Sequence, residues 1–446
     1  MVFNKAQFYT ELYNEHLMEA GILIASIQSY FFDAEISWLD VRQLMLRVDA
    51  HVGAIELGQN VACHCAIEYL TSHDEDELLG AAYALATINP NDEKGLDAVL
   101  DAYAKEQDEA RLGHFITAFK HGQHPRLGEK LQVFLSHDRA LIRAATIEIL
   151  GYRREGDPRR AWPLLHEKNP LVQRAAILAL ARFGYRGALP AAEQIVLDAG
   201  DTINEDYLLV LLMLGSKRAL DVCRRACQSS EMVTPKLLLY LAIAGTYQDF
   251  NIVLSAKQYS HVIDGVIQAL GLFGLVPAVS HLLAALKLDR DDLRAEAGVA
   301  LEMITGAGLR ETQQVPEKEP EETKISDILG GTTEDDEAQA EETPKAAPRM
   351  IDTERPCAVY DIWNEWWQNN AARFDPKIRW RKGQPFDLGA CITEIAAPNS
   401  HYHDRERAYL ELVIRSGQHI GFEPDWFIPR QLKSIHDWQC WWDARR

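Results

Sequence analysis

No stretch of this 446-residue chain offers the roughly 18 consecutive apolar residues that a bilayer-spanning helix needs, so no transmembrane segment is expected. The opening stretch, Met1 to Thr10, lacks a basic flank leading into an apolar core and a small-residue cleavage site, and no signal peptide is expected. Cysteine is scarce, with seven residues at positions 63, 65, 223, 227, 357, 391 and 440. An odd, scattered set does not make a disulfide framework. It fits free thiols in a reducing compartment, with the cytoplasm as the expected location.

Positive charge is also short. Lys and Arg number 46 against 66 Asp and Glu, for a net charge of −20. Residues 1–310 carry 29 basic against 40 acidic side chains, residues 311–350 carry 4 against 12, and residues 351–446 carry 13 against 14. Most of such a surface repels phosphate backbones, which argues against general nucleic-acid binding.

Signatures of catalysis are missing too. There is no Gly-rich phosphate loop and no Gly-x-Ser-x-Gly elbow. Cys63-His64-Cys65, with His51 and His73 nearby, comes closest to a metal set, but alternate residues on a helix point in different directions and cannot close a tetrahedral site. Cys223 and Cys227 lie one helical turn apart with no second pair, and His401 and His403 sit in a loop-like stretch. No catalytic residue, cofactor or metal is assigned, and a non-enzymatic role is expected.

What the chain does have is an internal repeat. Helix-like stretches ending in glycine recur at Ile177–Gly184, Val210–Gly215, Leu239–Gly245 and Ile267–Gly274, and Gly306 continues the phase. Backward, the same phase meets Tyr152-Arg153, Gly122 and Asn89-Pro90. Glycine suits a helix end because it takes the left-handed conformation without a Cβ clash. A second apolar stripe follows each turn, as in Ala188–Val196 and Ala278–Leu286. Each unit therefore reads as helix, tight turn, helix, and one such pair cannot bury both faces alone. The fold class expected is all-α, an α-solenoid spanning residues 61–310.

Inside three units Asp138, Asn169 and Asp289 precede Arg143, Arg174 and Arg294 by the same interval, and each arginine is followed by alanine. The Asp or Asn is expected to cap a helix N-terminus. Stacked arginines are candidate partner contacts on a concave face. Their constant spacing to the cap residue favours pairing with the next unit and with helix ends.

Residues 1–60, with an apolar stripe from Leu12 to Phe31, are expected to form an N-terminal helical cap. Residues 311–350, rich in Glu, Asp, Thr and Pro, read as a disordered acidic linker holding a short apolar island, Ile325–Leu329. Residues 351–446 hold eight of the ten tryptophans and are expected to form a compact, mainly helical domain. Most of these tryptophans suit its core. The terminal Trp438, Trp441 and Trp442 are expected to be the most exposed and are candidates for partner binding.

The Asp/Asn-to-Arg-Ala pattern resembles HEAT repeats, in the short form of the HEAT-like units of phycobilisome lyases. Taken with Tyr13–Ala20, Leu44–Gly53, Arg379–Pro385 and Arg405–Leu412, nearly the whole chain resembles a family of HEAT-like proteins encoded in bacterial type VI secretion clusters, near spike-protein genes. That resemblance implies a protein-binding accessory whose partner is a secreted effector, a toxin or a spike component. It also leaves room for a cytoplasmic immunity protein. The contrasting class, a HEAT-like DNA glycosylase or a lyase, would need a basic, aromatic-lined groove that the charge balance disfavours.

Overall fold

The computed structural model describes residues 5–33, 36–88, 93–197, 204–316 and 350–446. The described chain is all-α apart from two small two-stranded sheets. Its middle is a two-row helical solenoid. The first row is α4 (Glu75–Leu85), α6 (Glu109–His121), α8 (Ala140–Arg153), α10 (Pro170–Arg182), α12 (Glu205–Met213), α14 (Pro235–Ala244), α16 (Ile263–Phe273) and α18 (Asp291–Thr305), each packed on the next. The second row alternates with it: α5 (Lys94–Lys105), α7 (Leu127–Leu131), α9 (Pro158–Ala161), α11 (Leu189–Leu197), α13 (Lys217–Cys227), α15 (Phe250–Ser255) and α17 (Val276–Ala285). The break read at Asn89-Pro90 lies outside the described residues.

Sequence explains the difference between the rows. α16 is apolar on almost every side and most of its residues are buried, and α8 buries Thr146, Glu148 and Arg153 along with its apolar residues. A helix of that kind needs neighbours all round. α13 is amphipathic, burying Ala219, Cys223, Ala226 and Cys227 and turning Lys217, Arg218 and Arg225 outward. After α9 the chain tightens into a 3-10 turn, Trp162–His166, where Pro163 has no N–H to continue an α-helix.

The caps follow the expectation only in part. Asn169 accepts from the backbone N–H of Leu171 and Val172. Asp138 and Asp289 cap nothing, and the residues at those positions are Arg139 and Arg290. Asp74, Asp108, Asp157, Asn204, Ser216 and Thr234 cap other helices instead. Of the closing glycines, Gly184, Gly215, Gly274 and Gly306 are left-handed, whereas Gly245 is extended.

The N-terminal helices α1 (Lys5–Phe32), α2 (Arg42–Leu57) and α3 (Gln59–Tyr69) continue the stack. α1 lies directly on α4, so the N-terminal helices extend the first row. The segment read as a linker departs from expectation at both ends. β1 (Arg310–Pro316) pairs antiparallel with β2 (Met350–Pro356), from Arg310 opposite Pro356 to Pro316 opposite Met350. Residues 317–349, including the Ile325–Leu329 island, lie outside the described residues.

Beyond β2 come α19 (Tyr360–Asn370), the short strands β3 (Trp380–Arg381) and β4 (Gln384–Pro385), α20 (Leu388–Ala396), α21 (Tyr402–Ser416) and α22 (Ile428–Asp443). These elements do not build a core apart from the solenoid. Trp363, Phe374 and Trp380 join the apolar core of α11–α18, and Leu412, Phe422 and Trp438 join that of α1–α12.

Candidate functional site

First-row helices end along one edge of the solenoid, and each end leaves carbonyls without an intrahelical partner. The C-terminal region answers them with arginine. Arg415 donates to Ala242 and Gly245 at the end of α14, at 2.9 and 3.3 Å. Arg379 donates to Leu272 and Phe273 at the end of α16, at 2.7 and 2.9 Å, and Arg430 reaches the Arg153 carbonyl at the end of α8. A guanidinium at a helix C-terminus contributes about 0.3–1 kcal/mol, and up to about 2 kcal/mol when partly buried. Backbone joins in: Trp380 N donates to Gly274 O at 2.7 Å, and Lys382 N to Met303 O at 2.6 Å. The edge is therefore occupied by the chain itself.

Where this region crosses α10 and α12 a cleft of about 240 Å³ remains. Leu178, Leu209 and Leu410 are half-buried on its floor beside Val210, Met213 and Pro424. Its rim is ionic. Arg154 and Arg182 share Glu423, at 2.7 and 3.1 Å, and Arg174 pairs with Asp206 at 2.8 Å. Burial alone would raise the Glu423 carboxyl, but Arg182 and Arg154 outweigh it and hold it low.

Two residues on, Asp425 is half-buried, with its Oδ1 atom enclosed and unpartnered. Burial and the neighbouring Glu423 push its carboxyl up to about 6. A raised carboxyl opposes folding once ionised, so this penalty is absent below about pH 3.8 and complete above about pH 6. Asp425→Asn is expected to gain stability over the native chain by about 1 kcal/mol or more on going from pH 4 to pH 8. Urea unfolding of both proteins at the two pH values measures this difference. A difference that does not change with pH would refute the assignment.

Of the residues singled out from sequence, Arg174 alone lines the cleft. Arg143 pairs with Glu167 of the next unit and donates to the His137 and Asp138 carbonyls. Arg294 pairs with Asp291 and donates to Leu288 O. Trp438, expected to be exposed, is fully buried against Tyr409 and Trp441, because α22 turns that face inward. Trp441 and Trp442 are half-buried.

Cys65, Cys223 and Cys227 are buried, and burial pushes the Cys223 thiol up to about 12. His64 faces Glu68 at 3.3 Å, and His403 faces Glu406 at 3.8 Å. Among the described residues no group of three or more His, Cys, Asp and Glu converges as metal ligands do. No described helix is long and apolar enough to cross a membrane.

The sequence matches no protein-family model and no curated protein. Among solved structures it is similar to an engineered protein at 15% identity, covering 68% of this chain and 96% of that one, with a TM-score of 0.27. It is also similar to Escherichia coli YibA at 16% identity, covering 56% and 85%, with a TM-score of 0.28. Human deoxyhypusine hydroxylase matches at 16% identity over 64% and 96%, with a TM-score of 0.19. Likenesses this distant carry no argument about what the chain does.

Sequence reasoning missed Leu209, Leu410, Glu406 and Glu423. Glu406 and Leu410 stand one turn apart in the Arg405–Leu412 stretch, which marks them as sharing a helix face. Nothing local says which solenoid helices that face meets.

Proposed function

We propose that this chain is a non-catalytic, cytoplasmic protein-binding scaffold, an accessory of a type VI secretion system that holds a secreted effector, toxin or spike component. The observation that supports it is the cleft between α10, α12 and α21. Its arginines Arg154, Arg174 and Arg182 are paired with carboxylates, while Leu178, Leu209 and Leu410 stay partly open. Neutralised charge around an apolar floor suits a partner's apolar side chain, whose flanking peptide groups bond to the rim. The secretion context rests on the sequence resemblance alone.

Leu410→Asp places a carboxylate on the floor. The variant is expected to weaken partner binding by about 2 kcal/mol, roughly 30-fold in Kd, and because Leu410 also packs against the core, circular dichroism checks that it is folded. Affinity purification from the native host identifies the partner, and titration calorimetry with wild type and variant measures the loss. Unchanged affinity would remove the cleft from the binding surface. Gene deletion separates the roles: lost export supports loading, whereas intact export with new sensitivity to sibling cells supports immunity.

A further inference from the structure

A basic position recurs where second-row helices begin. Arg126 precedes α7, Arg159 and Arg160 open α9, Arg186 opens the turn into α11, and Lys217 and Arg218 open α13. The start of α13, an eleven-residue helix, carries partial positive charge, so exposed Lys217 and Arg218 there run against the macrodipole. Arg186 is held by the Gly417 carbonyl at 2.8 Å, whereas among the described residues the exposed cations of α9 and α13 have no such backbone partner.

At α7 the cation is answered, since Arg126 pairs with Glu93 and Glu129. Further along the answers thin out. Arg159 pairs with Asp157 yet leaves 77% of its side chain exposed, and Arg218 meets Glu193 at 3.4 Å with 60% exposed. Arg160, Lys217 and Arg225 are exposed and form no ion pair among the described residues.

Two further observations point to a ligand surface. Trp162 and Tyr185, half-buried, meet edge to face at 6.1 Å between α9 and the turn into α11. On α13 a shallow hollow of about 200 Å³ is lined by Arg218, Asp221, Val222 and Arg225. Along the sequence the charge balance turns basic over the same stretch. Residues 1–138 hold 9 Lys and Arg against 22 Asp and Glu, whereas residues 139–225 hold 14 against 10.

We infer that the outer surface of α9, α11 and α13 docks an acidic segment of a partner protein, one whose carboxylates are separated by apolar residues. Asp157, Glu193 and Asp221 stand among the cations and repel a continuous phosphate backbone. A peptide with spaced carboxylates passes between them and lays apolar side chains on Trp162 and Val222. Complementary charge of this kind sets partner choice and speeds encounter. The inference rests on the protein-binding reading but uses a surface separate from the cleft, so the two can fail independently.

The test is fluorescence anisotropy of the full chain with a labelled peptide alternating Glu and Leu, its Gln-for-Glu counterpart, and single-stranded and duplex DNA. The Glu peptide is expected to bind, and to lose at least about tenfold in affinity both with the Gln counterpart and in the Arg160→Glu, Lys217→Glu, Arg225→Glu triple variant. Circular dichroism checks that the variant is folded. The milder Arg160→Gln, Lys217→Gln, Arg225→Gln set is expected to fall between it and wild type. Leu410→Asp leaves peptide binding unchanged. Equal binding by wild type and both triple variants overturns the inference. So does tighter binding of either DNA than of the Glu peptide at the same salt, or loss of peptide binding in Leu410→Asp.

Discussion

Replacing Glu411 with alanine is expected to lower folding stability by about 3–5 kcal/mol, read as a lower urea midpoint by circular dichroism. Three guanidinium groups converge on this one carboxylate: Arg381 at 2.6 Å, Arg415 at 2.7 Å and Arg379 at 3.0 Å. Glu411 and Arg381 are each almost fully buried. Removing the acid leaves Arg381 with Glu394 alone and removes the anchor of two arginines that cap α14 and α16. An uncompensated buried charge is the dominant loss, because the low-dielectric interior cannot resolvate it.

Glu394→Ala is the matched comparison. Among the described residues Glu394 has one cationic partner, and Arg381 keeps Glu411 when it is lost, so the smaller effect is expected there. Acid should reproduce the Glu411 loss. Burial alone would raise the Glu411 carboxyl, but Arg381, Arg379 and Arg415 hold it at about 2. A depressed carboxyl stabilises the fold above its unfolded value of about 4.5, and that contribution fades as pH falls toward 2. In Glu411→Ala this part of the acid sensitivity should be missing.

The repeat was legible because its cause is local. Glycine at a helix end and alanine at a helix contact act within one unit, so Ile267–Gly274 and Arg174-Ala-Ala carry their meaning in a few residues. Where a local group had two ways to serve, reading failed. Asp138 offers its backbone carbonyl to Arg143 at 2.9 Å instead of its carboxylate to a helix N-terminus. The course of the C-terminal region was not legible at all. It depends on partners such as Arg379 with Phe273 and Arg154 with Glu423, far apart in sequence. Eight tryptophans signalled a large buried apolar area but not what they bury against. The cleft inherits that blindness: Arg174 stood out by its repeat spacing, while Leu410 gains its role only from α10 and α12.

Gly274→Ala should destabilise the chain by about 3–4 kcal/mol, well beyond what left-handed backbone alone explains. Gly215 provides the reference. Both glycines are left-handed, with φ of +64° and +87°, so alanine at either is strained by about 1–2 kcal/mol. Around Gly215 an added Cβ meets nothing within 4 Å. At Gly274 it collides with the Trp380 carbonyl, where β3 is seated on the end of α16. Seating there involves the 2.7 Å bond from Trp380 N to Gly274 O and the Arg379 bonds to Leu272 and Phe273. Pushing β3 away strands those buried groups, each worth about 1–3 kcal/mol when left unsatisfied. It also loosens Trp380 from Phe374, whose rings lie 4.7 Å apart. Tryptophan emission should therefore shift to the red in Gly274→Ala and not in Gly215→Ala. Hydrogen exchange should rise across 375–385 in the first variant alone. Equal costs at the two glycines would mean that β3 gains nothing from resting on the solenoid, and that the C-terminal region is held by its arginines alone.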